Sequence, residues 1–523
     1  MNHQASSQSG CPCCSASRLR AFGGDFSRRE FLGGMTAAAA GALVLSPTVL
    51  RAAKALGAST HQPPTRKPLR MQPVLIYETP TRREHTSWRS WGAIQTEADA
   101  EQEQALIRRQ LAEMQAVADF PLDVLPVKRC KTVAQAKEIV TGDHDGVLLY
   151  AAGGWLDLQE QLTDPKKWNL MFVRHRSGPV YLWYEIAHNR YLRKTVDEFG
   201  QPGMDVMDVV VDNHDEVLWR LRALAGLRNT LGKKILAIGG PSGWGEGGRQ
   251  APELARRQFG MELVDVSYEE LARLIEKAQA DTGLVERCRQ AADDYLASPD
   301  VSLETDRDFV ERAFVLTEVF KHLMDAAATD AITVNHCMGT IMGMSQTTAC
   351  MPLSLLNDEG YLAFCESDFV VIPSGVLLHY IAGKPVFLND PTYPYEGTVT
   401  LAHCTAPRKL DGRTPEKVRI LTHFESDYGA APKVEMRLGQ TLTNLIPDFN
   451  SRRWVGFRGT VKANPFLDIC RSQIDVAIEG DTETLLREMK GFHWMTCYGD
   501  YRRETGYALK KVGIDWLDLS HRT

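Results

Sequence analysis

Four residues in the C-terminal third of the 523-residue chain have side chains that commonly bind divalent metal ions: Glu366, Asp390, His403 and His493. Each lies at or just past the end of an apolar run that predicts a strand, or in a turn before a helix. A rigid scaffold can hold a side chain in a cleft at such positions. Two carboxylates and two imidazoles suit an ion such as Mn²⁺, with open positions for a substrate's oxygen atoms. This set of residues indicates metal-assisted proton transfer on a polyhydroxy compound.

Each of these residues also has a purely structural explanation. Asp390 could begin a turn, and Glu366 and Asp368 could cap the helix that follows them. His403 and His493 could be core histidines bonded to neighbouring groups. The apolar surroundings favour a site, because a buried acid carries a desolvation cost unless it is paired or bound to a metal. Asp368 is then predicted to orient one of the metal ligands.

Three further residues are candidates for substrate contact. Trp88 and Trp244 could stack on the face of a sugar, and His336 could contact a hydroxyl group, although packing explains each of them equally well. Trp244 lies in the glycine-rich segment 239–248, which follows a predicted strand. The segment has neither the G-x-G-x-x-G spacing nor a G-K-[ST] ending, so it predicts a hinge or lid rather than a nucleotide site.

The composition restricts the class of protein. Hydrophobic residues make up 44% and charged residues 24% of the chain, as in an ordinary globular protein. A formal net charge of -6 gives no indication of nucleic-acid binding. The length predicts two or three domains.

The N-terminus resembles an export signal. Arg28 and Arg29 form a twin-arginine pair that precedes the apolar stretch 36–45 and the small residues at 52, 53 and 55, where a peptidase could cut. Residues 1–55 are therefore predicted to be a signal peptide that engages the twin-arginine translocase and is removed, which leaves a periplasmic or otherwise exported protein without stable membrane insertion. A chance arginine pair in a leader, or an uncleaved anchor, are the alternatives.

The cysteines outside the leader give no metal-binding spacing. Three of the 11 lie in the leader, and the other eight are scattered without C-x₂-C pairs. A chain that folds before export forms its core in a reducing compartment, so mostly free thiols are expected.

The order of predicted elements defines the fold. Residues 56–70 are predicted to be a linker, 71–230 an N-terminal α/β domain, and 231–395 a central α/β domain with the acidic ligands. Short alternating strands then predict an antiparallel barrel domain with closing helices over 396–523. The expected class is α/β: two doubly wound parallel-sheet domains followed by a C-terminal antiparallel β-barrel.

Four short motifs surround the predicted ligands: Cys365-Glu366-x-Asp368, Asp390 at 24 residues beyond Glu366, His403-Cys404-x-x-Pro407 and Gly491-x-His493. The order and spacing of these motifs resemble the L-fucose and L-arabinose isomerase superfamily. The resemblance covers residues 70–520 in the order of elements, and its specific motifs lie in 331–515.

The resemblance implies aldose–ketose isomerisation through a metal-bound enediol. It makes Glu366 and Asp390 both Mn²⁺ ligands and the acid/base pair, and it makes His493 a ligand. His403 matches the second histidine of arabinose isomerases. A homotrimer or homohexamer is implied as well. The export signal departs from the family, whose members of this chemistry are typically cytoplasmic.

The sequence thus predicts an exported, metal-dependent sugar isomerase. One alternative is a non-catalytic carbohydrate-binding protein of the same fold, which keeps the cleft and needs no metal. A second alternative is a metal-dependent lyase or hydrolase that acts on a sugar or sugar acid with the same ligands. An isomerase would exchange a substrate C–H proton with solvent, and a hydrolase would take up water. A binding protein would do neither.

Overall fold

The computed structural model of the protein describes residues 65–154, 156–181, 187–193 and 201–521. The predicted signal peptide and residues 56–64 of the linker lie outside these ranges. The chain forms two compact units, of which one is Arg66–Asn229 and the other includes everything from Thr230 onwards. No helix in the described part of the chain is long and apolar enough to cross a membrane.

The Arg66–Asn229 unit contains a six-stranded sheet. Its strands are β1 (Leu69–Ile76), β2 (Leu122–Val124), β3 (Lys128–Cys130), β4 (Gly146–Ala151), β5 (Trp168–Val173) and β6 (Val209–Val211). Its α-helices are α1 (Glu97–Ala116), α2 (Val133–Val140), α3 (Leu156–Leu162) and α4 (His214–Thr230). The strand order is β2-β1-β4-β5-β6, with β3 also on β1, and every pairing is parallel.

Burial in this sheet follows from its composition. All six residues of β4 are buried, as expected for a parallel strand covered on both faces.

Helix α1 begins at a capping box in which Thr96 Oγ1 accepts a bond from Asp99 N–H and the Asp99 carboxylate accepts one from Thr96 N–H. Deeper in the unit, Arg174 Nε donates to Glu103 Oε1 at 2.6 Å, and both side chains are almost fully buried.

The second unit contains the remaining elements. Its strands are β7 (Lys234–Ile238), β8 (Glu262–Val266), β9 (Val301–Leu303), β10 (Ala331–Val334), β11 (Leu362–Cys365), β12 (Phe387–Pro391), β13 (Thr398–His403), β14 (Lys417–His423), β15 (Tyr428–Glu435), β16 (Thr441–Pro447), β17 (Arg453–Ala463), β18 (Ser472–Glu479), β19 (Trp494–Tyr498) and β20 (Asp515–Asp518). Its α-helices are α5 (Ala251–Phe259), α6 (Tyr268–Ala280), α7 (Thr282–Leu296), α8 (Arg307–Ala327), α9 (Met342–Ser345), α10 (Cys350–Asp358), α11 (Ile372–Ala382), α12 (Thr482–Glu488) and α13 (Arg502–Lys511).

These strands form three sheets. A parallel sheet has the order β11-β10-β7-β8. Six antiparallel strands close into a barrel in the order β16-β19-β12-β13-β18-β17, because β17 also pairs with β16, and β20 adds to β17 in parallel. A small third sheet has the order β15-β14-β9. The structure confirms the predicted α/β class, with two parallel sheets followed by a C-terminal antiparallel barrel.

The parallel sheet and the barrel share one buried helix. Every residue of α11 is buried, and a helix that is apolar all round belongs in a core. A Cβ added to Gly375 would lie 2.5 Å from Met495 Cε in β19 and 2.8 Å from Phe364 in β11, so only glycine allows this approach. The helix therefore holds the end of β11 close to the barrel. Strand β12 is a barrel strand, although it precedes residue 396, where the predicted barrel domain begins.

Candidate metal centre

The four predicted ligands converge where the parallel sheet meets the barrel. Glu366 directly follows β11, at the carboxyl end of the parallel sheet, where ligands of open α/β sheets commonly bind. Asp390 lies on β12, His403 is the last residue of β13, and His493 directly precedes β19.

Strand register explains why the three barrel residues meet. Asp390 is paired with Ala402, the neighbour of His403, on one side. On the other side Asn389 is paired with Trp494, the neighbour of His493. The central strand β12 thus places its carboxylate between the two histidine-bearing strands.

The distances define a compact cluster. His403 Nε2 lies 3.5 Å from Glu366 Oε1, and His493 Nε2 lies 3.4 Å from Glu366 Oε2 and 3.3 Å from Asp390 Oδ1. One ligand atom from each of Glu366, His403 and His493 lies within 4.8 Å of the others. We call Glu366, Asp390, His403 and His493 the carboxylate–histidine cluster.

The polar atoms in this cluster fit a metal ion. Nε2 of both His403 and His493 is buried and has no hydrogen-bond partner among the described residues. A buried nitrogen without a partner is costly, and a bound cation would remove that cost. The other ring nitrogens are engaged: His493 Nδ1 lies 2.7 Å from Asp368 Oδ2, and His403 Nδ1 lies 3.0 Å from Thr405 Oγ1. This division of roles is typical of metal-binding histidines.

The backbone at Glu366 is strained. Glu366 and Ser367 have φ angles of 66° and 48°, in the left-handed region that side chains other than glycine rarely adopt. Neighbouring segments hold this conformation, because Ser367 N–H donates to Thr333 Oγ1 at 3.1 Å and Ser242 N–H donates to the Ser367 carbonyl at 3.1 Å. Strain of about 1–3 kcal/mol per residue is often retained at functional sites.

The electrostatics of the cluster separate its two carboxyl groups. Burial opposes ionisation of Glu366, but the charges on His493 and His403 outweigh burial and lower the pKa of this carboxyl. Burial raises the pKa of Asp390 despite the same histidines. Burial also disfavours charge on His493, yet Asp390 and Glu366 raise the pKa of its imidazole well above the usual value. In the absence of an ion the cluster therefore favours a protonated His493, and a cation would have to displace that proton.

Two aromatic rings border the cluster. Trp244 Nε1–H donates to Glu366 Oε2 at 2.7 Å, and the Trp244 ring stacks on Phe492 with centroids 4.5 Å apart. Phe492 is 38% exposed, so this aromatic pair reaches solvent beside the buried ligands. Such a surface suits the apolar face of a sugar ring.

The other predicted substrate contacts lie elsewhere. His336 follows β10 at the same carboxyl edge of the parallel sheet, and its side chain is exposed. Trp88 lies in the Arg66–Asn229 unit, where Arg89 stacks over its ring at 5.2 Å. A substrate role for either residue stays a prediction.

Sequence reasoning missed two partners in this region. Phe492 was visible as the aromatic neighbour of His493, and its exposure was the missing information. Thr405 follows His403 by two residues, but its bond to the imidazole depends on the backbone turn after β13.

No protein-family model matches the chain, and no curated protein matches its sequence.

Proposed function

We propose that this protein is a metal-dependent aldose–ketose isomerase that converts a sugar through an enediol. The observation that supports this proposal best is the pair of buried imidazole nitrogens, His403 Nε2 and His493 Nε2, which face two carboxylates without hydrogen-bond partners among the described residues. Glu366, Asp390, His403 and His493 would hold the ion. Mn²⁺ is the ion we propose, because mixed oxygen and imidazole donors suit it.

When bound, such an ion stabilises negative charge on neighbouring substrate oxygens. The proton transfer itself is proposed for the two carboxyl groups. Glu366 and Asp390 lie on different elements, and both come within 3.4 Å of His493 Nε2. One takes the proton from the carbon beside the carbonyl group while the other donates a proton to the product, so that no proton is gained or lost overall.

Neighbouring residues would position these groups. Asp368 holds the His493 ring through Nδ1, and Trp244 holds one oxygen of Glu366 through its indole N–H. The Trp244–Phe492 pair would bind the apolar face of the sugar and keep water from the reacting carbons.

The proposal includes export and assembly. A chain that folds before twin-arginine export can bind Mn²⁺ in the cytoplasm, before Zn²⁺ or Cu²⁺ competes for the same donors. A trimer or hexamer is proposed from the family resemblance alone, and its mass in solution would test that point.

The test compares the wild-type protein with Glu366→Gln/Asp390→Asn after incubation with Mn²⁺. We expect near-stoichiometric metal in the wild type and its loss in the double variant. In D₂O, the wild type should introduce deuterium next to the carbonyl carbon of one aldose in a panel and form the matching ketose. Glu483→Gln/Asp515→Asn removes the same two charges from the exposed surface and should change neither result.

Three outcomes would contradict the isomerase. Wild-type protein that takes up no metal yet binds a sugar is a carbohydrate-binding protein. Bound metal with net uptake of water by the sugar indicates a hydrolase. Bound metal without deuterium exchange at any C–H position of the aldoses in the panel would contradict the enediol mechanism.

A further inference from the structure

A second group of potential metal ligands lies beside the first. Cys350 is the first residue of α10, Cys404 directly follows β13, His423 ends β14, and Cys470 precedes β18. We call these four residues the thiol cluster. All four side chains are buried, with at most 5% exposure.

The donors of the thiol cluster are close together. Cys350 Sγ lies 3.2 Å from Cys404 Sγ, and these two sulfurs and one ring nitrogen of His423 all lie within 4.8 Å of one another. The buried Cys470 thiol also interacts with the Cys404 thiol. All four cysteine and histidine positions come from different segments, so the cluster exists only in the folded chain.

Buried free thiols are common in cores, and the eight described cysteines outside the leader are all buried and free of disulfides. Packing alone explains Cys288, which lies among apolar residues. The setting of Cys350, Cys404 and His423 differs, because two thiols and an imidazole, which are donors that thiophilic metals prefer, meet at one point. Ala431, which packs with Cys350 and Cys404, is apolar and fully buried.

A nearby cation suits an anionic site. Arg471 interacts electrostatically with Cys404 and Cys470, and its Nε donates to the Thr422 carbonyl at 2.7 Å. The guanidinium stacks over Phe424 at 5.3 Å, which limits its movement. A divalent ion with three thiolates carries one net negative charge, and the fixed guanidinium would offset it.

We propose that Cys350, Cys404, Cys470 and His423 form a second metal site, which binds a thiophilic divalent ion such as Zn²⁺. Three sulfurs and one nitrogen are the donors of closed, four-coordinate structural zinc sites. Hard ions such as Mn²⁺ prefer oxygen-rich donors, so the two clusters would select different metals.

The second site would have a structural consequence for the first. Cys404 directly follows His403, so an ion bound by the thiol cluster would fix the end of β13 to α10 and β14. The position of the His403 imidazole would then depend on the zinc.

Cobalt distinguishes the two clusters in one spectrum, because Co²⁺ bound by thiolates shows strong charge-transfer absorption in the near ultraviolet and Co²⁺ bound by carboxylates and imidazoles does not. Demetallated full-length protein titrated with Co²⁺ should develop this absorption to one equivalent, and Zn²⁺ should abolish it. Glu366→Gln should keep the absorption, whereas Cys350→Ser and His423→Gln should lose or strongly weaken it. Cys288→Ser is the matched control, a buried cysteine outside the cluster, and should behave as the wild type.

The wild type alone provides a second readout if the variants do not fold. X-ray absorption of the zinc-loaded protein should show sulfur ligands at about 2.3 Å. Cobalt binding without charge transfer, a zinc shell of only oxygen and nitrogen, or a Cys350–Cys404 disulfide in the mass spectrum of the purified protein would each overturn the proposal. Because Glu366→Gln removes only the first site, failure of the isomerase proposal would not affect these results.

Discussion

His493 Nδ1 lies 2.7 Å from Asp368 Oδ2, while the opposite nitrogen, Nε2, faces Glu366 and Asp390 at 3.4 and 3.3 Å. A carboxylate only accepts hydrogen bonds, so this contact assigns the proton to Nδ1 and leaves the Nε2 lone pair for a metal ion once the second proton is displaced. Asp368 is itself fixed, because Val370 N–H and Trp244 N–H donate to its other oxygen at 3.0 and 3.3 Å.

Asp368→Asn should therefore weaken metal binding without unfolding the protein. The amide keeps an oxygen for the two backbone donors but places an NH₂ group, which cannot accept the Nδ1 proton, against Nδ1, so we expect the Kd for Mn²⁺ to rise about 10–100-fold. Competition with a fluorescent chelator measures this constant. Asp411→Asn is the control, since Asp411 likewise accepts two backbone bonds, from Arg413 and Thr414. Equal affinity in both variants would contradict the assigned role of Asp368.

Trp244→Phe should separate the hydrogen bond from the ring stack. The variant loses the indole N–H that holds Glu366 Oε2 and keeps an aromatic ring against Phe492. We expect about 10-fold weaker Mn²⁺ binding, measured by the same competition. Trp219→Phe removes a comparable indole bond, 2.9 Å to Glu216, in the Arg66–Asn229 unit and should leave the affinity unchanged. Unchanged affinity in Trp244→Phe would show that Glu366 needs no such support.

The individual donors of the carboxylate–histidine cluster could be predicted because each follows or precedes a recognisable apolar run. Their arrangement could not, because it depends on pairing over long sequence separations. Asn389 faces Trp494 across β12 and β19, and no local pattern specifies that register. The order of elements likewise predicted a barrel after residue 395, but it did not show that β12 joins it, since a short apolar run suits either sheet.

The thiol cluster could not have been predicted at all. Cys350, Cys404, His423 and Cys470 are too far apart along the chain for any metal-binding motif, and the expectation of free thiols was correct for their covalent state. Only the meeting of α10 with the ends of β13 and β14 brings these groups together. Sites of this kind depend on tertiary structure alone.

Glu103→Gln should strongly destabilise the Arg66–Asn229 unit. It leaves Arg174, which is fully buried, with a neutral partner in place of the carboxylate that accepts its Nε–H. Removing one member of a buried ion pair costs about 3–5 kcal/mol, and urea denaturation measures the loss. Glu101→Gln on the same helix is the control, because Glu101 is exposed and pairs with Arg129 at 3.7 Å, where about 0–1 kcal/mol is expected. Equal midpoints for the two variants would contradict the importance of the buried pair.

Arg28→Lys/Arg29→Lys should prevent export. The prediction depends on the sequence of the leader, in which the arginine pair precedes the apolar stretch 36–45. We expect the wild type in the periplasmic fraction at its processed mass and the double variant in the cytoplasm at its full mass. Arg18→Lys/Arg20→Lys makes the same change at two other arginines of the leader and should be exported normally. Export of the paired-arginine variant at the wild-type level would exclude the twin-arginine route.

His214 should make the stability of the Arg66–Asn229 unit depend on pH. Its ring stacks on Phe172 with centroids 4.4 Å apart and lies 3.2 Å from Tyr150 Oη. Burial, aided by the positive charge of Arg174, lowers the pKa of His214 to about 4. The unfolded chain binds this proton near pH 6.5, so the contribution of His214 to stability is complete above about pH 6.5 and is lost as the pH falls towards 4.

The test is urea unfolding of the wild type and His214→Gln at pH 7 and pH 5. The free energy of unfolding should fall more steeply between these values in the wild type, because the variant has no imidazole to protonate. Asp358, in the other unit, has the opposite dependence, since burial raises its pKa to about 6 and its ionisation destabilises the fold as the pH rises. Asp358 is present in both the wild type and His214→Gln, so the difference between their pH profiles isolates His214. Parallel pH profiles would show that the His214 ring is not held neutral.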